Sequence, residues 1–559
     1  MMHIDTATTI RNGKRYTRHL LRETFRENGK VRHRTLFNLK GCSEDEIIAM
    51  KLALQHKKNL SVLTTALMGV EVQQGLSVGA LLLLQHIAKS IGLTKALGND
   101  RQGKLALFQI FARVIDQGSR LSAVRLCKRH DVERVLGLSD FSEEDLYKNL
   151  DWLTDHQAQI ENSLYQEEVR GGSDKNTLFL YDVSSSYFEG EQNELAEFGY
   201  NRDKKSGKRQ IVLGLLCNQI GHPVSVQVFA GNTNDTKTLK AQADKVADRF
   251  GGGSVTLVGD GGMIKGPQIK ELKEMGFHYI TSIGKTQINS LIVKGVFQLS
   301  LFDNELCEIV REEEGLRYIL RRNPQRMEEI RKTRAAKLAK LKVWLADKNL
   351  YLKEHAKAKP VTILTKLTDK IQRFKLSSFV EARMEDREVT WVINEEKQKQ
   401  HEELDGCYVI KTDLTVEAAS KEVVHARYKA LIDVENAFRT FKTGHLELRP
   451  IYVRKESRTR GHALVVMLAY RLTQELQKHW QGIDFTVEEG LSAVAQYCTT
   501  ELIVGGESQG CTVQKPNQEV AALFSAAGFE LPKAWVAIKQ TKTKGVSTKT
   551  TLPPHRKKR

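Results

Sequence analysis

The chain is short of cysteine, of long apolar runs and of acid, and each shortage excludes something. Seven cysteines in 559 residues (Cys42, Cys127, Cys217, Cys307, Cys407, Cys498 and Cys511) stand apart with no Cys-x-x-Cys pair. An odd, scattered set suits neither a disulfide scaffold nor a thiolate zinc site, and it fits a reducing cytoplasm. The opening MMHIDTATTIRNGKRYTRHL has no apolar core of a signal peptide, and the longest apolar run, Ala80 to Leu84, is far too short to span a bilayer. A soluble protein without a membrane partner is expected. Asp and Glu number 68 against 86 Lys and Arg, a formal charge of +18. Such an excess draws polyanions through phosphate contacts and counterion release, so nucleic acid is the natural partner; a soluble enzyme with a basic surface is the plain alternative.

What is present suffices for a large core, since 40% of the residues are hydrophobic and the length suits more than one domain. Residues 11–40 hold ten Lys or Arg against two Glu and pivot on Asn28-Gly29, a pair that favours a tight hairpin. Residues 1–42 are therefore read as a basic hairpin arm, either a DNA contact or a solvated charged ribbon. Over 43–172 the apolar spacing turns helical, as in VGALLLLQHIAKSIGL and LALFQIFARVI, which predicts a helical N-terminal DNA-binding domain.

Beyond it, TLFLYDVSSSYF, QIVLGLLCNQ and HPVSVQVFAG are three apolar runs that read as an antiparallel meander, the last two divided by Ile220-Gly221. A helix capped by Asn234 or Asp235, a short strand SVTLVGD, a helix from Pro267 to Met275 and a strand FHYITSIG follow. Strand, strand, strand, helix, strand, helix, strand is the order of a ribonuclease H-like α/β core, whose first part spans 173–285. Residues 286–404 interrupt that order with strands and a long basic helix, as an inserted subdomain. The core resumes over 405–480 with GCYVIKT, a single helix from Lys421 to Lys442, and a second helix, GHALVVMLAYRLTQELQKHW, packed on it. Residues 481–559 complete the chain as a small helical C-terminal region with a basic tail.

Asp182 and Asp260 each end an apolar strand, and in a ribonuclease H-like sheet those two strands are neighbours, which brings both carboxylates to one edge. Either alone reads as a turn-capping acid. Glu435 lies on the helix of the resumed core, seven residues from both Tyr428 and Lys442, and two turns return nearly to the same azimuth, so the three share a face. Asp433 points to the opposite side. Three convergent carboxylates on a basic protein suit a two-metal site, because Mg²⁺ prefers hard oxygen ligands and keeps positions open for water or phosphate. A surface glutamate is the plain alternative for Glu435.

The stretches LYDVSSSYFEG, GYNRDKKSGKRQIVLGLL, GHPVSVQVFAGNTNDTKTL, VGDGGM and YKALIDVENAFRTFK resemble the successive motifs of bacterial insertion-sequence DDE transposases, in the group whose third motif reads Tyr-x2-Arg-x3-Glu-x6-Lys. The resemblance runs from about Asn176 to Leu472, and RETFRENGKVRHRTLFNL adds a weaker likeness at the N-terminus. It implies that Asp182, Asp260 and Glu435 are the catalytic, metal-binding triad, that Tyr428 and Lys442 bind phosphates of the transposon ends, and that the insertion is β-rich. Two positions depart from the group: its third-motif Arg falls on Leu431, and the Arg often following the second Asp falls on Gly261. Arg449, Arg454 and Arg460 are candidate replacements, with a basic surface loop as the alternative. In relatives an aromatic ring of the insertion stacks on a flipped base; Trp344 and Trp391 are the tryptophans available here, and core packing is the commoner fate of such residues.

The expected function follows: a transposase that binds the terminal inverted repeats of its element and performs metal-dependent cleavage and strand transfer. Its expected cofactor is two Mg²⁺, with Mn²⁺ able to substitute. Double-stranded DNA, both element ends and target, is the expected partner of a homodimer in the nucleoid-containing cytoplasm. The rivals are a ribonuclease H-like nuclease that cleaves without joining and a transposase-derived repressor that binds without catalysis.

Overall fold

The structure is a computed structural model that describes residues 2–12, 14–58, 70–170, 178–190, 192–203, 205–250, 255–303, 305–443, 446–448, 452–504 and 507–531. Arg449 and the basic C-terminal tail, both singled out above, lie outside the described residues. The chain divides into two compact units, one of Met1–Leu82, Lys128–Asp131 and Glu489–Arg559, the other of Leu83–Cys127 and Val132–Glu488. No helix among the described residues is long and apolar enough to cross a membrane.

The larger unit is a mixed α/β body built on one eight-stranded sheet. Its strands are β1 (Leu178–Tyr187), β2 (Gln210–Asn218), β3 (Pro223–Ala230), β4 (Thr256–Gly259), β5 (His278–Ile283), β6 (Cys307–Arg311), β7 (Leu316–Arg322) and β8 (Cys407–Thr412). They lie in the order β6-β7-β8-β5-β4-β1-β2-β3, with β1, β4 and β5 mutually parallel and the other pairings antiparallel. All nine residues of β2 are buried, which suits an unbroken apolar run covered on both faces. On one face Phe179, Tyr181 and Val183 of β1 pack with Leu239 of α2 (Asp235–Lys245) and Leu272 of α3 (Gly266–Glu274), together with Tyr165 of α1 (Glu143–Arg170). Side chains alternate along a strand, so Asp182 and Ser184 project from the other face.

That other face carries the helices of the resumed core, and here the structure corrects the single helix expected from Lys421 to Lys442. The segment is two helices, α6 (Lys421–Lys429) and α7 (Leu431–Lys442), divided at Ala430. The Ala430 carbonyl accepts from the Asp433 backbone N at 3.0 Å, a tightened turn in place of a continuous α-helical ladder. The two halves pack on different strands, α6 against β5, β7 and β8 and α7 against β1 and β2. A sheet twists across its width, so one straight helix would not follow both ends of it. Behind them α8 (Glu456–His479) is buried without a break from Gly461 to Leu472 and packs on α1, β3 and the helix Arg101–Ile115.

The insertion is corrected too. Its first strands, β6 and β7, extend the main sheet beyond β8. What stands apart is mainly helical: α4 (Pro324–Glu354), α5 (Pro360–Arg373) and a hairpin of Val380–Glu385 with Glu388–Ile393. These share their own core, centred on Leu341, Leu345, Leu367 and Phe379. Trp344 and Trp391 both pack against that core, and the Lys370 amine sits 4.9 Å over the Trp344 ring.

In the smaller unit, Met2–Arg11, Lys14–Glu27 and Lys30–Asn38 form an antiparallel sheet whose last strand is exposed along its whole length. Asn28 and Gly29, both at positive φ, make the two-residue turn. The stretch expected to be wholly helical contains a strand, Val70–Ser77, and the C-terminal region expected to be helical contains the hairpin Cys498–Val504 with Glu507–Val513. The three pair as one sheet. Val70–Ser77 and its partner Cys498–Val504 lie more than 400 residues apart in sequence, which local periodicity does not register.

Candidate active site

The parallel register of β1 and β4 pairs Tyr181 with Gly259, so the next residues, Asp182 and Asp260, emerge side by side where β4 ends. The Asp260 Oδ1 accepts hydrogen bonds from the Gly261 backbone N at 2.8 Å and from the Ser282 hydroxyl at 3.3 Å. Gly261 has no room for a side chain, since an added Cβ would lie 2.3 Å from the Ser282 backbone oxygen. An arginine there would displace β5, which explains that departure from the motif.

Helix α7 lies across β1 and brings Glu435 to the same place. Asp182, Asp260 and Glu435 line one cleft of 670 Å³, with Tyr428, Leu431 and Lys442 also in its wall. Burial pushes the Asp182 carboxyl up to about 7; its own strand's backbone at Val183 and the Arg202 guanidinium oppose the shift, and Glu435 and Asp260 add to it. Burial likewise raises the Tyr428 phenol, a hydrogen bond to Ser282 works against it, and the three carboxylates push the same way as burial. The heptad relation of Tyr428, Glu435 and Lys442 therefore places all three in the cleft wall even though a helix break separates the first from the others.

Lys442 is engaged within the protein. Its Nζ donates to the Ser184 hydroxyl at 2.5 Å and meets Asp203 Oδ1 at 3.1 Å, and the Asp203 side chain is only 3% exposed. Asp203 also accepts from the Tyr187 backbone N at 3.1 Å, so this ion pair ties the C-terminal end of α7 to β1. Arg202 is held by Asp235 at 2.6 Å, and the Lys429 amine stacks 5.2 Å over the Tyr408 ring. Arg439, one turn beyond Glu435, is exposed in the cleft wall. Of the basic candidates read from the sequence, Arg460 is bound to Glu456 at 2.6 Å and to the Val228 carbonyl at 2.7 Å, and Arg454 is exposed; neither lines the cleft. Asp433 lies on the other side of α7, over the Ile220-Gly221 turn.

Sequence reasoning passed over Ser184, Arg202, Asp203, Asp235, Lys429 and Arg439. A signal existed for two of them, since NRDKKSGKR is a dense charge cluster directly before the second strand.

The donor set of the cleft is all oxygen, and the repulsion felt by Asp182 is what a bound cation would relieve, so the residues fit a hard divalent ion in kind. As the side chains stand, no group of three His, Cys, Asp or Glu among the described residues is close enough to enclose one.

Two family profiles match the chain: the transposase DDE domain over residues 174–472 and the N-terminal domain of IS1634 family transposases over residues 4–62. No curated protein matches it. Among solved structures it is similar to a piggyBac transposase synaptic complex with hairpin DNA, at 10% identity and a TM-score of 0.32, over 80% of this chain and 76% of that one.

Proposed function

Because the chain belongs to the family of transposase DDE domains, whose profile matches residues 174–472, we propose that the cleft between β1, β4 and α7 is where this transposase cuts and rejoins DNA. Asp182, Asp260 and Glu435 are the metal-holding carboxylates of that reading. The observation that carries it is the convergence itself: two aspartates at one level of adjacent parallel strands, a glutamate from the covering helix, and a carboxyl pushed up to about 7 by burial and by its neighbours. Bound there, two Mg²⁺ would lower the pKa of the attacking hydroxyl and offset charge on the leaving oxygen, with Mn²⁺ able to substitute.

The remaining residues orient the substrate. Lys442 holds α7, and with it Glu435, against β1 through Ser184 and Asp203. Tyr428 contributes a phenol at the far end of the same wall. Leu431 leaves an apolar gap where the group carries a cation, and Arg439, on the opposite side of Glu435 along α7, supplies a guanidinium for an end phosphate. Lys429 offers a second. The partner is double-stranded DNA, the terminal inverted repeats first and the target afterwards, held by two copies of the chain in the nucleoid-containing cytoplasm.

The test is cleavage of DNA carrying the sequences that flank this gene, followed by joining of a pre-cut end to a plasmid, with Mg²⁺ and with chelator. Cleavage and joining that both need the metal are expected. End binding without cleavage in any divalent ion would leave a repressor, and cleavage without joining a nuclease.

A further inference from the structure

Three aromatic side chains near the cleft are far more exposed than their chemistry favours: Phe198 at 60%, Tyr200 at 84% and Tyr452 at 68%. The first two sit in the segment between β1 and β2, and their backbone is held in place. Glu197 and Gln210 exchange backbone hydrogen bonds at 2.9 and 3.0 Å, and the Gln210 side-chain amide donates to the carbonyls of Tyr200 at 3.1 Å and Gly231 at 2.8 Å. Gly199 is pressed against this framework, since an added Cβ would lie 2.1 Å from the Gly231 carbonyl oxygen. With the chain fastened at Gly199, the rings on either side of it face solvent.

Cations are interleaved with these rings. The Arg209 guanidinium lies 5.6 Å from the Phe198 ring centroid, and the Lys205 amine 5.6 Å from that of Tyr187. Lys208, paired with Glu189 at 2.6 Å, is in electrostatic range of both the Tyr187 and Tyr452 phenols. The segment bearing Tyr452 is fastened to the same loop, with Glu194 N donating to the Arg454 carbonyl at 3.2 Å and the Asn193 amide donating to that of Val453. The patch adjoins the cleft: Tyr200 is two residues from Arg202, which lines it, and three from Asp203, which holds Lys442.

Exposed aromatic faces among cations are what unpaired nucleotides require, because a free base stacks on a ring while its phosphate meets a charge. A duplex keeps its bases stacked on one another and would use the cations alone. We propose that Phe198, Tyr200 and Tyr452 form a stacking platform for unpaired bases of a DNA end whose strand continues into the carboxylate cleft. The proposal rests on the functional reading above and adds a substrate form, a frayed or tailed end.

The experiment uses the full chain and two probes, a labelled duplex with an unpaired 3′ tail containing 2-aminopurine and a blunt duplex of the same sequence. The unaltered protein is expected to bind the tailed duplex more tightly and to quench the 2-aminopurine. The double variant F198A/Y200A is expected to lose about tenfold or more in affinity for the tailed duplex, together with the quench. It should keep its affinity for the blunt duplex and its melting temperature, and Tyr200→Trp should restore tail binding. A double variant that still quenches, or that weakens on both duplexes alike, overturns the platform. A protein that binds neither duplex overturns the functional reading itself.

Discussion

Helix α7 has a cleft on each side, close in size and unlike in chemistry. One, of 670 Å³, gathers Asp182, Asp260 and Glu435; the other, of 780 Å³, is walled by Asp433, Asn436 and Thr440 of the helix and faces Gln474, Gln477 and Gln481. The larger is the one without clustered acid, so volume does not select the site. In the first cleft a carboxyl is raised by burial and then further by two other carboxylates, whereas Asp433 is raised by burial alone. A helix turning 100° per residue makes the division: Glu435 and Lys442, seven apart, face β1, while Asp433, Asn436 and Thr440, at intervals of three and four, face away. Arg439 reaches the walls of both.

The comparison breaks most readily at its acids. Asp182→Asn or Glu435→Gln should lower cleavage of end DNA by at least about a thousandfold, roughly 4 kcal/mol of barrier, with end binding retained, because ligands are lost and phosphate contacts are not. Near-normal cleavage by either variant would remove that residue from the site. Next in size, Lys442→Ala removes the amine that meets Ser184 and the buried Asp203 and should cost about 3 kcal/mol of stability, read by denaturant unfolding, alongside weaker cleavage. An unchanged unfolding midpoint would mean that Lys442 does not tie α7 to the sheet.

Arg439→Ala tests the residue the two clefts share. Folding should be unaffected, while the salt dependence of end binding becomes shallower by about one unit of log affinity against log salt. A slope equal to that of the unaltered protein would exclude a phosphate contact at Arg439. The smallest effect belongs to the second cleft. Asp433→Asn should leave cleavage unchanged and stability within about 0.5 kcal/mol. A dead but folded Asp433→Asn variant would reverse the assignment of the two faces.

Much of this was legible in the sequence for physical reasons that can be named. The run around Asp182 is apolar because both faces of the sheet are covered, and an acid in such a run stands out; it was expected at the strand's end, whereas β1 continues past it to Tyr187 because β2 goes on pairing there. The heptad spacing of Tyr428, Glu435 and Lys442 predicts a shared face, and that spacing survives the break at Ala430 because a single tightened turn shifts azimuth only slightly. The break itself was hidden, since YKALIDVENAF is helix-forming throughout and only packing on different strands divides it. The resemblance implies that Lys442 binds an end phosphate; its contacts with Ser184 and Asp203 could not be read from the sequence, because those residues are 258 and 239 positions away. The strand Val70–Ser77 escaped for the same reason, its partner being Cys498–Val504.

By itself the sequence determined the chemical inventory: an excess of bases, acids set in or just after apolar runs, motifs in an order that names the transposase family, and helix periodicities that sort residues by face. These are local properties, fixed by side-chain chemistry and the repeats of helix and strand. Tertiary structure decided which of those residues meet. It placed Asp260 beside Asp182 through the parallel register of β1 and β4 and committed Lys442 to Asp203. It packed the half-buried Trp344 and Trp391 against the insertion's own core and left Phe198, Tyr200 and Tyr452 facing solvent. Meetings of that kind depend on strand order and helix docking, which couple residues far apart along the chain and leave no periodic trace in it.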